Sequence, residues 1–201
     1  MEYCNIVLAA DGGGQDRLQV LRRGEQLIVA IADGAGGRSG GAEAAELAVE
    51  LIAKGAHELE TQADCEELLR KADTAISTNA NCGETTAVVA VASETGIYGA
   101  SVGDSGVWIL NGTSIDELTK FQQRKPFLGN GGLAVGFRRE EWGGTLLVAT
   151  DGLLKYTSWE AIASIAAQQD LRELPAALVG LVRYPSGNLP DDIAIAVCRS
   201  T

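Results

Sequence analysis

Five places along the chain set an aspartate at the end of an apolar segment, four of them beside glycine or another acid. Val29-Ala30-Ile31-Ala32 runs into Asp33-Gly34-Ala35-Gly36-Gly37, and Leu146-Leu147-Val148-Ala149-Thr150 runs into Asp151-Gly152. Val102-Gly103-Asp104-Ser105 repeats the arrangement, Asp191-Asp192 opens the last apolar run, and Gln15-Asp16 precedes an early one. A carboxylate at the end of a hydrophobic strand is costly unless water or a cation offsets it. Several of them gathered in one place would repel one another without a metal. Their hard oxygens favour Mg2+ or Mn2+ over zinc or copper. Glycine beside them lets a backbone carbonyl reach an ion and a substrate approach the loop. One Asp-Gly after a strand is ordinarily just a turn. Five acidic ends in one chain raise a metal site beside that plain reading, and pattern alone leaves both open.

The elements that must position these residues follow from periodicity. Asn5 to Ala10 reads as a strand. Arg17 to Arg22 alternates with period two, and Gln26 to Ala32 is a dense β-branched run, so the two form a hairpin around Arg23-Gly24-Glu25. A helix begins near Ala42, with Ala45, Ala48 and Ile52 at helical spacing, and a second spans about 63–77. Strand signals then dominate at Thr85 to Ala92, Ile97 to Val102, Gly106 to Leu110, Leu133 to Phe137 and Thr145 to Thr150. Their hairpin-like spacing argues for antiparallel meanders rather than βαβ units. Two helices follow. The first has Thr157 and Glu160 in capping-box spacing, and the second has Pro175 in its first turn. Ile193 to Cys198 closes the pattern as a strand. The order predicts an α+β fold: two antiparallel sheets with a helix pair on each outer face, a four-layer α-β-β-α sandwich.

At 201 residues the chain suits a single domain over 1–201, long enough to bury a core without disulfides or a structural metal. The net charge of −11 repels nucleic-acid backbones, so no nucleic-acid partner is expected. It leaves a phosphorylated substrate open, because bound cations reverse the sign of a local site. Cys4, Cys65, Cys82 and Cys198 form no CxxC, and His57 stands apart from any cysteine pair, which argues against zinc. Scattered cysteines read as reduced thiols, and the apolar run Ile6 to Ala10 is too short for a signal-peptide core or a membrane span. The expectation is a cytoplasmic protein with no membrane partner.

Taken in order, the motifs resemble those of the type 2C, metal-dependent serine/threonine protein phosphatases, especially compact bacterial members. Asp33-Gly34-Ala35-Gly36-Gly37 is similar to that family's Asp-Gly-x-Gly-Gly loop, and Gly83-Glu84-Thr85-Thr86-Ala87 to its Gly-Ser/Thr-Thr strand start. Val102-Gly103-Asp104-Ser105 resembles its Gly-Asp-Ser motif. Ala149-Thr150-Asp151-Gly152-Leu153 and Asp191-Asp192-Ile193-Ala194 resemble its two late metal motifs, and Gln15-Asp16-Arg17 its early acidic pair. Each match is weak alone; six in order across about 14–198 are specific. The resemblance implies a dinuclear Mg2+ or Mn2+ centre in a cleft at one end of a β-sandwich. Asp33 would bridge both metals, the Gly34 carbonyl would bind one, and Asp151 and Asp192 the other. Asp16 would act through metal-bound water, and Asp104 would support a third, weaker cation. A hydroxide between two cations about 3.5–4 Å apart would attack phosphoserine or phosphothreonine in line. A phosphorylated protein and a cognate serine/threonine kinase are the implied partners.

Two departures stand out. The family usually places a phosphate-binding arginine five residues before the early aspartate, where this chain has Asp11. Arg17 or Arg38 are the candidate substitutes, against the plain reading of solvated arginines. The segment between Asp104 and Asp151 is short, and Gln122 to Gly132 is what remains of a flap. Arg124 and Lys125 are its basic residues, either of them a candidate to meet a phosphate, against the plain reading of a solvated loop. Asp11 also motivates the alternatives, a phosphatase-like module that binds phosphoprotein with little turnover, or a partner-switching regulatory phosphatase.

Overall fold

The computed structural model describes residues 1–35 and 39–200. In chain order the strands are β1 (Glu2–Leu8), β2 (Asp16–Arg23), β3 (Gln26–Asp33), β4 (Ala87–Ser93), β5 (Gly96–Val102), β6 (Gly106–Asn111), β7 (Ser114–Glu117), β8 (Val135–Glu140), β9 (Thr145–Ala149) and β10 (Ile193–Arg199). The helices are α1 (Gly41–Gly55), α2 (Gln62–Thr78), the single turn α3 (Asp151–Leu154), α4 (Trp159–Gln168) and α5 (Leu174–Val182). One sheet has the order β1-β10-β9-β6-β7, the other β2-β3-β4-β5-β8, and every pairing between named strands is antiparallel.

Period-two alternation explains why the sheets stack. Leu27, Val29 and Ile31 of β3, Val88 and Ala90 of β4, Leu146 and Val148 of β9, and Ala194 and Ala196 of β10 fill the gap between the sheets. The alternate residues Ile28, Ala30 and Ala32 turn to the apolar stripe of α1 and α2, made of Ala45, Ala48, Ile52, Leu69 and Ile76. Leu147, Ala149, Ile193 and Ile195 turn the other way, against Ile162 of α4 and Leu178 of α5. Because both faces of the central strands are covered, their sequences read as unbroken apolar runs. The four-layer arrangement expected from element order is the one seen.

Several element bounds differ from the sequence expectation, each for a local reason. β1 runs over Glu2–Leu8, in register with β10 from Arg199 to Ile193, and not over Asn5 to Ala10. Ala10 instead gives its amide to the Asp192 side chain. β8 begins at Val135 and runs on through Arg138, Arg139 and Glu140, whose exposed charges suit a strand at a sheet edge. The α4 cap is Ser158, whose hydroxyl oxygen accepts from the Ala161 amide, and not Thr157. β7 pairs with β6 at the other edge, and its Ser-Ile-Asp-Glu sequence carries no apolar signal that would have marked it.

The burial difference between two leucines gives a check on this packing. Leu147→Ala is expected to lower stability by about 2–5 kcal/mol, because the side chain is fully buried between β9 and the α4–α5 pair. Leu133→Ala, at an exposed loop position, should stay within about 0.5 kcal/mol of the parent in the same urea titration.

Candidate functional site

The alternation that packs the core also decides which polar side chains end it. Asp33 continues the inward series of Val29 and Ile31 at the last position of β3. β2 pairs with β3 so that Asp16 lies opposite Asp33, with Leu18 and Val20 behind it on the same side. In the facing sheet Thr150 follows Leu146 and Val148 in phase, and Asp192 precedes Ala194 and Ala196 in phase. Four polar residues, two from each sheet, therefore close one end of the hydrophobic gap.

Each is held by specific bonds. The Thr150 hydroxyl donates to Asp16 Oδ2 at 2.7 Å and accepts from the Ala194 amide at 2.9 Å, tying one sheet to the other. Asp192 accepts from the amides of Ala10 at 2.8 Å and Gln15 at 2.6 Å, so the β1–β2 connection hangs from its carboxylate. The Asp33 amide donates to Thr86 Oγ1 at 3.1 Å, and its carbonyl accepts from the Thr86 amide and the Thr85 hydroxyl, both at 2.8 Å. Gly34 must be glycine, because a Cβ there would run into the Gly41 carbonyl where α1 begins. Gly152 is required in the same way by the carbonyl of Asp192.

These ends open onto a cleft of about 870 Å3. Asp33, Gly34, Asp104, Asp151 and Asp192 all line it, and Asp16 lies buried beside Asp33. Asp151 opens α3, and Lys155, one turn on, places its ammonium 2.6 Å from Asp151 and 3.4 Å from Asp191. Asp104 pairs with Arg124 at 3.1 Å. Lys125, Pro126 and Phe127 form part of the wall, so the segment expected to be a plain solvated loop faces the cleft. That loop is anchored at its far end by Asp73, whose Oδ1 accepts from the amides of Gly129, Gly131 and Gly132.

Not every candidate comes together here. Arg17 does not line the cleft; its guanidinium is committed to Glu46 and to the carbonyls of Gly14 and Asp16. Arg38 lies outside the described residues. Asp11 is exposed, accepts from the Gly13 amide at 3.1 Å and is not part of the lining. His57 sits exposed in a short turn after α1. Sequence reasoning missed Thr150 as a partner of Asp16, and missed Lys155. The second carried a signal, since an acid and a base four residues apart on a helical turn face each other.

A family model described as Protein phosphatase 2C matches residues 8–179 of the chain. No curated protein matches it. Among solved structures it is similar to serine/threonine phosphatase Stp1 from Staphylococcus aureus, at 16% identity and TM-score 0.82 over 100% of this chain and 95% of that one. The Mycobacterium tuberculosis serine/threonine phosphatase PstP/Ppp gives 21% identity and TM-score 0.78 over 98% and 97%. The catalytic domain of serine/threonine protein phosphatase PstP, solved in complex with two manganese ions, gives 19% and 0.81 over 98% and 96%. At such identities the likeness is one of fold.

The electrostatics of the cleft are those of acids in want of a cation. Burial pushes the carboxyls up, Asp33 to about 9 and Asp16 to about 7. For Asp33 the charges of Asp16, Asp151 and Asp104 add to the rise; for Asp16 the Thr150 hydroxyl opposes it. Asp151 is raised by burial, against the pull of Lys155. Asp16 Oδ1 is buried with no hydrogen-bond partner. Among the described residues no three acidic side chains converge on one point; Asp151 turns to Lys155 and Asp192 to the amides of its neighbouring loop. An all-oxygen donor set with an orphaned buried oxygen fits Mg2+ or Mn2+. The folded chain without metal holds protons on Asp33 and Asp16 that the unfolded chain, titrating near 3.8, releases. Stability without metal should therefore fall as pH rises from about 4 toward 9, at up to about 1.4 kcal/mol per pH unit for each proton. Thermal melts of the EDTA-treated protein at pH 5, 7 and 9 test this, and Asp33→Asn should flatten the trend; equal slopes in both proteins would contradict it.

Proposed function

The chain belongs to the protein phosphatase 2C family of serine/threonine protein phosphatases, and on that premise we propose that the acidic cleft is its catalytic centre. One observation carries the reading: Asp33, Asp104, Asp151 and Asp192, from separate stretches of sequence, line one cleft with Asp16 buried behind them. Asp33, Asp151, Asp192 and the Gly34 carbonyl are the groups that would hold two Mg2+ or Mn2+ ions, and Asp104 the group for a third. When bound, such cations supply the acidity that makes water a nucleophile near neutral pH and offset charge on the phosphoryl oxygens.

The protein's own residues supply position and proton control. Thr85 and Thr86 fix the backbone of Asp33, so its carboxylate is presented from a rigid strand end. Thr150 occupies one oxygen of Asp16 and leaves Oδ1 as the atom able to accept a proton from water. No histidine lines the cleft, so no imidazole is at hand to protonate the departing serine or threonine oxygen. None of the four free cysteines lines the cleft, so none is placed to be the nucleophile, and burial pushes the Cys65 and Cys198 thiols up to about 12. Free thiols suit a reducing compartment, which supports a cytoplasmic enzyme acting on a phosphoprotein and opposing a serine/threonine kinase. No described helix is long and apolar enough to cross a membrane.

With Mn2+ the purified protein should hydrolyse a phosphothreonine peptide and p-nitrophenyl phosphate, and EDTA should abolish both. Asp151→Asn should lower kcat/KM by about 100-fold or more and reduce bound Mn2+, with the circular dichroism spectrum unchanged. Retained activity in that variant would remove Asp151 from the centre. Tight Mn2+ binding by the parent without turnover would favour the phosphoprotein-binding alternative.

A further inference from the structure

A phosphate monoester must enter a cleft lined by Asp33, Glu84, Asp104, Asp151, Asp191 and Asp192. Among the described lining residues the positive side chains are Lys125 and Lys155. Among the described residues the arginines of the neighbourhood, Arg17 and Arg124, are otherwise engaged. Arg17 is bound to Glu46 and two carbonyls, and Arg124 pairs with Asp104 from a side chain that is 75% exposed. Asp11, where the family usually has its phosphate-binding arginine, caps its own turn away from the cleft.

The two lysines are not equivalent. Lys125 sits on the loop between β7 and β8, its ammonium 5.5 Å from the centre of the Phe127 ring. Lys155 follows α3 directly, and Asp151 at the start of that turn belongs to the acidic centre. Its ammonium bridges Asp151 and Asp191, yet the side chain is 44% exposed and so reaches open cleft.

We propose that Lys155 is the phosphate-binding cation of this enzyme, held in reserve by Asp151 and Asp191 and turned to the substrate phosphoryl group when metal ions take up the charge of Asp151. The inference rests on the catalytic reading above. A single carboxylate cannot neutralise a divalent ion and an ammonium at full strength, and the two cations repel each other. The four-carbon stem of lysine lets the ammonium move without any shift of α3. Asp191 keeps it tethered at the cleft wall, and a phosphoryl group that enters there brings strong acceptors within its reach. Lysine serves such groups as a point charge.

The test uses the Mn2+-loaded full chain with Lys155→Met and Lys155→Arg. Inorganic phosphate is the probe, titrated by calorimetry and as a competitive inhibitor of p-nitrophenyl phosphate hydrolysis. Lys155→Met should weaken phosphate binding and raise KM about tenfold, with kcat within about threefold; Lys155→Arg should restore most of the loss. Manganese binding should be unchanged or tighter in both. A phosphate Kd within twofold of the parent in Lys155→Met would overturn the assignment. So would a fall in kcat alone, or lost Mn2+, either of which makes the lysine a support for Asp151. Calorimetry reads phosphate binding without turnover, so an inactive parent would count against the catalytic reading and leave the lysine tested. A parent that binds no Mn2+ would sink both.

Discussion

Antiparallel register sets Asp16 opposite Asp33 at the buried end of two neighbouring strands, and most of the site answers to that juxtaposition. A slip of one residue would turn either acid out of the gap, together with the whole inward series behind it. The hydrophobic pattern that makes the sandwich is thus the same pattern that forces two like charges together. Two ionised carboxylates cannot share such a place cheaply, so one end of the core must be either protonated or supplied with cations. Strand pairing by itself thus builds a place suited to cations.

The second constraint is that the centre is divided between the sheets. Asp16 and Asp33 come from one, Thr150 and Asp192 from the other, and the Thr150–Asp16 bond spans the gap. Close packing of the inter-sheet core therefore fixes distances in the site, since a packed interior deforms little. The surrounding loops are tied by polar side chains rather than apolar ones. Asp192 holds the β1–β2 connection, Thr85 and Thr86 hold the end of β3, and Asp73 holds the glycine-rich turn at 129–132. Asp192 gives its carboxylate to two backbone amides, and on the proposed reading the same side chain would also hold a metal ion.

The legible parts of the sequence were those with long periodicity. The alternation of β2, the unbroken apolar runs of β3, β4, β9 and β10 and the helical stripes of α1 and α2 gave the layers, and acids at strand ends, two of them in Asp-Gly, marked the candidate site. What escaped notice depends on contacts between distant residues. Thr150 looks like the last residue of a strand, and only sheet stacking brings its hydroxyl to a residue 134 positions away. β7 has no apolar alternation because it lies at an edge. Lys155 was readable in principle from its spacing to Asp151, but a single turn of helix after a strand gives no periodic signal to anchor that reading. Arg17, placed beside Asp16 in sequence, points by strand alternation to the other side of β2, where Glu46 of α1 meets it.

The charge balance of the cleft bears on what it can recognise. Among the described lining residues six acids face two lysines, an excess of four negative charges when all are ionised. Two divalent cations would bring that lining to neutrality and no further. The chain as a whole carries a net charge of −11. Such a molecule offers a phosphate no long-range attraction, and an acidic phosphoprotein is held off rather than steered in. On the proposed reading the grip on the phosphoryl group comes from short, directed contacts inside the cleft, from the metal ions and a lysine. Selection among phosphoproteins must come from surfaces beyond it. The wall formed by Lys125, Pro126 and Phe127 is short, so it covers little of a bound peptide. On the proposed reading an open cleft brought near neutrality by its cations separates the two tasks, with chemistry set by the aspartates at the sheet ends and choice of substrate set elsewhere on the partner.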